Sequence, residues 1–185
     1  MGPLSGKVAL ITGASRGIGK GIALALAEAG AIVYITGRTV SPGTNPLPGT
    51  LPETAAEIGR RGGEGFAVQL DHGSDGQVAA LFERIKREQG RLDILVNNAF
   101  SLPEDLTEPK PFWEKPLSNW EMIDVGVRSN YVAAWHASRI MTPQKSGLIV
   151  AISGYTGVSY TYSVIFGTAK SAVDRMARDM AIELK

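Results

Sequence analysis

The fold is decided by residues 12–19, which read Thr-Gly-Ala-Ser-Arg-Gly-Ile-Gly. An apolar run of strand length, residues 8–11, comes directly before them, and apolar residues at helical spacing follow over 17–29. A strand, a glycine-rich turn and a helix in this order predict a βα unit in which the chain turns tightly and the helix packs closely on the strand.

The same alternation of strand and helix patterns continues along the chain. Apolar runs rich in β-branched residues predict strands at 8–11, 31–35, 66–70, 92–96 and 148–152, and amphipathic patterns predict helices at 17–29, 53–61, 75–89, 119–141 and 163–184. Strands of this kind are typical of a parallel sheet that is covered on both faces, and right-handed crossovers make the sheet doubly wound. The sequence therefore predicts an α/β Rossmann fold, with residues 1–185 forming one domain.

The composition narrows the class of protein. The 185 residues are 44% hydrophobic and 20% charged, and the net charge is +1, so nothing favours nucleic acid or an anionic membrane as a partner. The absence of cysteine excludes disulfides and thiolate metal sites, and no run approaches the roughly 20 apolar residues of a membrane span. We expect a soluble, cytoplasmic protein without a metal site.

Two irregular segments interrupt the alternation, at 40–52 and 100–116, and each contains four prolines. Both follow the carboxyl ends of predicted strands, which is the edge where open α/β sheets bind ligands. Each segment is compatible with surface decoration, and the second is equally compatible with a wall of a substrate site.

The glycine turn has the features of a phosphate site. Gly13, Gly17 and Gly19 permit a tight turn and close backbone approach, and the helix that starts there offers free N–H groups and a positive dipole end to a pyrophosphate. The turn therefore predicts a dinucleotide site that includes Gly13, Ser15, Arg16, Gly17, Ile18 and Gly19.

The spacing Thr-Gly-x-x-x-Gly-x-Gly resembles that of the short-chain dehydrogenase/reductase family. Asn97-Asn98-Ala99 after the fourth strand and the pair Ser153 and Lys170 are further marks of the resemblance, which covers residues 7–185. Gly37-Arg38 and the segment Phe112-Trp113-Glu114 resemble the subgroup around dehydrogenase/reductase member 1 in particular. The resemblance implies hydride transfer between a nicotinamide cofactor and a small-molecule carbonyl or alcohol.

The residues after the second strand favour NADP(H) over NAD(H), which remains a possible cofactor. NAD sites place an acid there to accept the ribose 2′-hydroxyl, whereas this chain has Arg38, and a guanidinium pairs well with a 2′-phosphate. Arg16 is a second cation at that end of the turn. The alternative is that both arginines are solvated surface charges.

Three further residues complete the expected cofactor site. The resemblance implies that Asp71 bonds the adenine amino group, although an acid there is also typical of a turn or a helix N-terminus. Asn97 and Ala99 would border the ribose and the interior of the sheet.

The expected reaction centre departs from the family pattern at two positions. The resemblance implies that Ser153 polarises the substrate oxygen and that Lys170 holds the nicotinamide ribose. The proton-donating tyrosine belongs four residues before the lysine, where this chain has Phe166, and the helix asparagine is replaced by Gly126. A phenyl ring has no proton to give, so turnover is expected to be slow or absent.

Several explanations of Phe166 stay open. The protein is an inactive variant or a non-catalytic NADP(H)-binding pseudo-enzyme that acts as a sensor or scaffold, or another group such as Tyr160, Tyr162 or Asn130 takes over proton transfer. A shifted alignment is disfavoured, because Ser153, Phe166 and Lys170 keep the family spacing. A fold fragment that binds nothing is a further alternative.

The resemblance also bears on the size of the protein and its assembly. Family members continue beyond the last helix with two more strands, so the chain is expected to be incomplete at its C-terminus. They commonly pair their two long helices, here 119–141 and 163–184, across a two-fold axis. A homodimer or homotetramer is therefore expected.

Overall fold

The computed structural model describes residues 2–185, and its core is one open, parallel, five-stranded sheet. The strand order is β3-β2-β1-β4-β5, so the chain moves outward from β1 in both directions. The strands are β1 (Val8–Ile11), β2 (Ile32–Gly37), β3 (Glu64–Gln69), β4 (Ile94–Asn97) and β5 (Leu148–Ala151). The predicted doubly wound parallel sheet is confirmed.

Helices connect the strands and cover both faces of the sheet. They are α1 (Gly17–Glu28), α2 (Leu51–Arg60), α3 (Asp75–Gln89), the single turn α4 (Glu121–Ile123), α5 (Ser129–Gln144) and α6 (Val164–Glu183). One apolar core forms against α1 and α2, and a second forms on the opposite face against α3 and α5. Because all five strands are parallel, every βα connection begins at the carboxyl edge of the sheet.

The start of α2 differs from the prediction. The helix begins at Leu51 rather than at residue 53, and Pro52 lies inside its first turn. Proline is tolerated there because the first N–H groups of a helix have no intrahelical partner. Thr50 and Glu53 close the end reciprocally, each side chain accepting a hydrogen bond from the other residue's backbone N–H.

The prediction of one continuous helix over 119–141 is wrong. A 3₁₀ turn at Leu117–Trp120 leads into α4, a π-helical turn follows at Asp124–Arg128, and only then does α5 begin. π turns inside helices insert an extra residue and are frequent at functional sites. The turn surrounds Gly126, which faces the ring of Phe100, a contact between distant parts of the chain that helical periodicity does not reveal.

Within residues 2–185, no helix combines the length and the apolar character that crossing a bilayer would require.

Candidate active site

The glycine turn is tied to the end of β4 by a compact set of hydrogen bonds. Thr12 Oγ1 accepts from the backbone N–H groups of Asn98 and Ala99, both at 2.9 Å. Asn98 Nδ2 donates in turn to the carbonyl oxygens of Thr12 and Gly13, at 2.9 and 2.8 Å. Asn98 therefore holds the turn in place, a role that the sequence signalled only through the Asn97-Asn98-Ala99 motif.

Glycine occupies positions 13 and 17 of the turn for different structural reasons. Gly13 has φ +67°, and a Cβ there would lie 2.8 Å from Ala99 Cα, so the approach of β4 excludes a side chain. Gly17 has φ +57°, and a Cβ there would meet nothing within 4 Å. The surface at Gly17 is therefore open, as a close approach by a ligand requires.

The N-terminus of α1 is electrostatically suited to an anion. Among residues 2–185 no side chain caps it, and its first turn contains no acidic residue. Because the first N–H groups of a helix lack intrahelical partners and the dipole is positive there, this end favours a phosphate.

Arg16 is engaged by the loop that precedes α2. Its Nη1 donates to Asn45 Oδ1 at 2.5 Å and its Nη2 donates to the Gly49 carbonyl oxygen at 2.8 Å. Its Nε is buried and has no partner among residues 2–185. Arg16 is thus not a freely solvated charge, and it retains one unused donor beside the turn.

Arg38 is exposed and pairs with an acid that the sequence analysis did not consider. Its Nη1 lies 3.6 Å from Glu121 Oε1, at the start of α4. Exposed pairs of this kind contribute little stability, so the guanidinium remains available to a stronger anion.

Asp71 has the geometry of a turn former. Its Oδ1 accepts from the Gly73 backbone N–H at 2.9 Å, which is an Asx turn before α3. The neighbouring His72 is buried, with Nε2 2.8 Å from Thr36 Oγ1. Burial lowers the pKa of His72 to about 4, and the Asp71 carboxylate only partly opposes this shift.

Asn97 ends β4 in a buried position with unused hydrogen-bonding capacity. Its Nδ2 donates to the Asn130 carbonyl oxygen at 3.0 Å, while its Oδ1 has no partner in the described chain. Asn130 thereby enters the site through its backbone, on the first turn of α5.

Ser153 and Lys170 lie together beyond the end of β5. The Ser153 Oγ is buried and has no partner within residues 2–185. Lys170 is 9% exposed, and its Nζ donates to the carbonyl oxygen of Ile152 at 3.0 Å. Burial lowers the pKa of Lys170, and the charge of Asp174 opposes this shift.

Aromatic rings surround the Lys170 ammonium. Its Nζ lies 4.2 Å from the ring centre of Phe100 and 5.9 Å from that of Phe166. The two rings meet edge to face, with centres 5.5 Å apart. Phe100 was expected only as the first residue of an irregular segment, and it proves to be a wall of the site.

Gly126 makes room for this arrangement. A Cβ built on Gly126 would collide with the edge of the Phe100 ring. The family pattern has asparagine at the position of Gly126. Here the Phe100 ring fills the space that a side chain at this position would occupy. The departure at Gly126 and the position of the Phe100 ring are therefore one structural feature.

Of the two candidate tyrosines, Tyr160 is largely exposed and Tyr162 is 51% exposed. Tyr162 has φ +68°, which is strained for a residue with a side chain, and its ring centre lies 6.0 Å from that of Phe166.

The segment after β4 is held together by Lys115, whose Nζ donates to the Asp105 and Leu106 carbonyl oxygens.

One edge of the parallel sheet carries a glycine turn joined to β4, the N-terminus of α1, the buried Ser153 hydroxyl and the buried Lys170. This is the edge where open α/β sheets bind dinucleotides. The family pattern described as short chain dehydrogenase matches residues 7–185, and this chain belongs to that family.

Known relatives agree with this assignment. The human protein named dehydrogenase/reductase SDR family member 1 is 44% identical over 99% of this chain, and the match covers 57% of the human protein. The chain thus spans little more than half the length of this relative.

Solved structures show the same fold with either cofactor. A metagenomic short-chain oxidoreductase in complex with NADP has a TM-score of 0.87 at 30% identity, covering 98% of this chain and 77% of that one. An NAD⁺-bound xylitol dehydrogenase has a TM-score of 0.85 at 26% identity, covering 98% of this chain and 66% of that one.

Proposed function

We propose that this protein is an NADP(H)-dependent oxidoreductase that transfers hydride between the nicotinamide and the carbonyl or alcohol carbon of a small molecule. The observation that carries the proposal is the Ser153 hydroxyl, which is buried without a partner among residues 2–185 and directly follows Ile152, whose carbonyl oxygen accepts from Lys170 Nζ. Leaving a buried hydroxyl unpaired costs free energy, so its retention is explained if an oxygen of a ligand completes its hydrogen bonding.

The described residues fit a nicotinamide dinucleotide, which would supply or accept the hydride. In the part of the chain that the structure describes, buried polar atoms of Asn97 and Arg16 lack partners at the same sheet edge, and the Gly17 surface is open. The residues proposed to hold the cofactor are Gly13, Ser15, Arg16, Gly17, Ile18, Gly19, Arg38, Asp71, Asn97, Ala99 and Lys170. Ser153 is proposed to orient the substrate oxygen, and Lys170 the nicotinamide ribose.

The preference for NADP(H) rests on charge. A 2′-phosphate carries more negative charge than the Glu121 carboxylate, so it is expected to displace that carboxylate from Arg38. The buried Nε of Arg16 offers a second donor near the same position. A cofactor with a free 2′-hydroxyl offers neither arginine a charged group of its own, and NAD(H) is therefore the weaker ligand.

Phe166 is proposed to make turnover slow, because it occupies the position of the family's proton donor. Restoring the phenol in Phe166→Tyr is expected to raise the rate of NADPH-dependent carbonyl reduction by about 100-fold or more, the usual contribution of a positioned general acid. The rate is measured by NADPH absorbance on a panel of aldehydes and ketones. Phe112→Tyr, at an exposed ring, is the matched control and should leave the rate unchanged.

Phe166 also favours a second candidate function, a non-catalytic NADP(H)-binding protein that acts as a sensor or scaffold. Cofactor binding without turnover, both in the protein and in Phe166→Tyr, would support this candidate and contradict the oxidoreductase.

We further propose that a cytoplasmic homodimer or homotetramer forms through α5 and α6. Tyr131 and Trp135 are exposed on α5, and Ile182 is exposed on α6. Light scattering on Trp135→Asp, which introduces a charge into this surface, tests the assembly.

A further inference from the structure

The ammonium of Lys170 is the acidic group most fully enclosed in the reaction centre. It lies against the Phe100 ring, with the Phe166 ring beyond, and it is fixed by one hydrogen bond to the Ile152 carbonyl oxygen. Ile152 directly precedes Ser153, so this bond holds the ammonium against the same strand end that presents the unpartnered hydroxyl. An ammonium has three N–H groups, and two of them remain for a ligand.

Other groups near Phe166 are poorer proton donors. A serine hydroxyl has about the acidity of the product alcohol, so donating its proton would only leave an alkoxide on Ser153, which limits this residue to hydrogen bonding. The Tyr162 ring is half exposed, and its hydroxyl makes no hydrogen bond to another residue of the described chain, 2–185, that would fix its position. The ring that faces Lys170 from the family's donor position, Phe166, has no acidic proton.

We propose that the Lys170 ammonium itself donates the proton to the substrate oxygen during carbonyl reduction, with the Phe100 ring holding it in place. Lys170 thereby performs the proton donation for which the Phe166 ring has no acidic hydroxyl. This inference rests on the proposed oxidoreductase function and identifies the donor within that same site.

Reduction of a carbonyl substrate at this site requires one hydride and one proton. The carbonyl carbon receives the hydride that the reduced nicotinamide supplies, and the π electron pair moves to the oxygen beside Ser153. An N–H bond of Lys170 breaks as that oxygen takes the proton, which yields an alcohol, the oxidised cofactor and a neutral amine. Solvent then returns a proton to the amine.

The surroundings favour proton release. Burial lowers the pKa of Lys170, so its ammonium is a stronger acid than that of a solvated lysine, whereas Asp174 on the same helix acts in the opposite direction. The other elements packed on α6 carry further titratable or charged groups: Tyr155 on the 3₁₀ turn Tyr155–Gly157, Glu121 on α4, and Asp124 and Arg128 on the π turn. Of these, Glu121 is paired with Arg38, and Arg128 with Asp75.

Lys170→Arg separates proton donation from charge. Arginine keeps a cation beside Ile152 but does not release its proton at ordinary pH, so carbonyl reduction at saturating NADPH should fall by about 100-fold or more. Because Lys170 is also proposed to hold the nicotinamide ribose, the Kd for NADPH is measured by fluorescence in parallel, and its rise should be much smaller than the loss of turnover. Lys86→Arg, at an exposed lysine of α3, is the matched control and should change neither quantity. Lys170→Met, of similar length, serves if arginine disturbs the fold.

A second readout begins with a titration that does not require turnover. With ¹³Cε-labelled lysine, the Lys170 signal is identified by its loss in Lys170→Arg, and its titration gives the pKa of this side chain with NADP⁺ bound. The kcat of reduction should decline at high pH with an inflection at that same pKa. An inflection elsewhere would overturn the inference.

The remaining outcomes separate this inference from the proposed function. Parent-like turnover in Lys170→Arg, or turnover abolished in Tyr162→Phe, would overturn the Lys170 assignment while leaving the oxidoreductase intact. Bound NADPH without turnover of any carbonyl tested would overturn both. Retained turnover in Tyr162→Phe together with its loss in Lys170→Arg is the expected result.

Discussion

At the scale of single residues, Phe100 and Gly126 determine the shape of the reaction centre. The Phe100 ring contacts the Lys170 ammonium, the Phe166 ring and the backbone at Gly126. A side chain at Gly126 would have to displace the ring, and displacement would remove the aromatic surface from Lys170. We therefore regard Gly126 as selected by packing.

Gly126→Ala is expected to destabilise the protein by about 1–3 kcal/mol, the usual cost of overpacking, despite the better helix propensity of alanine. Urea denaturation measures the free energy of unfolding. Gly76→Ala in α3 is the matched control, since a Cβ there meets nothing within 4 Å and should stabilise by up to about 1 kcal/mol. In the Phe100→Ala variant, where the ring is absent, adding Gly126→Ala should cause no further loss of stability. A further loss of about the same size as in the parent would contradict the proposed packing.

His72 gives the fold a dependence on acid. Its pKa is lowered to about 4 by burial, so protonation is harder in the folded chain than in the unfolded chain, where histidine titrates near 6.5. The stability that neutral His72 provides is complete above about pH 6.5 and is lost as pH falls towards 4. The loss amounts to about 3 kcal/mol, at 1.36 kcal/mol per pKa unit.

The check on His72 is the free energy of unfolding of the protein and of His72→Gln between about pH 7 and pH 4. The variant should lose less stability on acidification, because glutamine does not titrate. His136, whose pKa burial also lowers, is present in both proteins and cancels in the comparison. Parallel stability curves for the two proteins would contradict the assignment to His72.

At the scale of elements, the loop between β2 and α2 is docked onto the glycine turn. Arg16 holds it through Asn45 and Gly49, and a Cβ on Gly49 would lie 2.6 Å from the Ser15 carbonyl oxygen. The irregular segment at 40–52 is thus more than surface decoration, because it fixes the guanidinium that we propose to face the 2′-phosphate.

Asn45→Ala is expected to raise the Kd for NADPH by roughly tenfold, since a hydrogen bond to a charged group is lost and Arg16 becomes mobile. The Kd for NADH should change less, because a 2′-hydroxyl places no charge there. Thr44→Ala is the matched control, an exposed neighbour whose hydroxyl donates only to Ser41 within the loop. Equal weakening of both cofactors would show that the loop does not act through Arg16.

Much of this architecture was predictable from local sequence patterns. All five strands and the helices on both faces follow from periodicity, and the glycine turn marks the first βα unit. The break at Asp124–Arg128, the pairing of Arg38 with Glu121 and the role of Asn45 were not predictable. Each depends on contacts between segments far apart in sequence, which neither propensity nor spacing encodes.

At the scale of the whole molecule, the parallel sheet gathers the functional residues at one edge. The glycine turn follows β1, Arg38 follows β2, Asn97 ends β4 and Ser153 follows β5, so four strands deliver their groups to the same side. Lys170 reaches that edge from α6. The fold thus aligns the proposed anion site at one end with the proposed acid and the Ser153 hydroxyl at the other.

The proposed function depends most directly on NADP(H) binding at the turn of residues 12–19. Fluorescence titration with NADPH and with NADH tests this claim in the protein and in the double variant Arg16→Ala, Arg38→Ala. We predict that NADPH binds more tightly than NADH and that the double variant loses this preference by at least about tenfold, or 1.4 kcal/mol. Absence of NADPH binding at concentrations of about 1 mM would contradict the central claim.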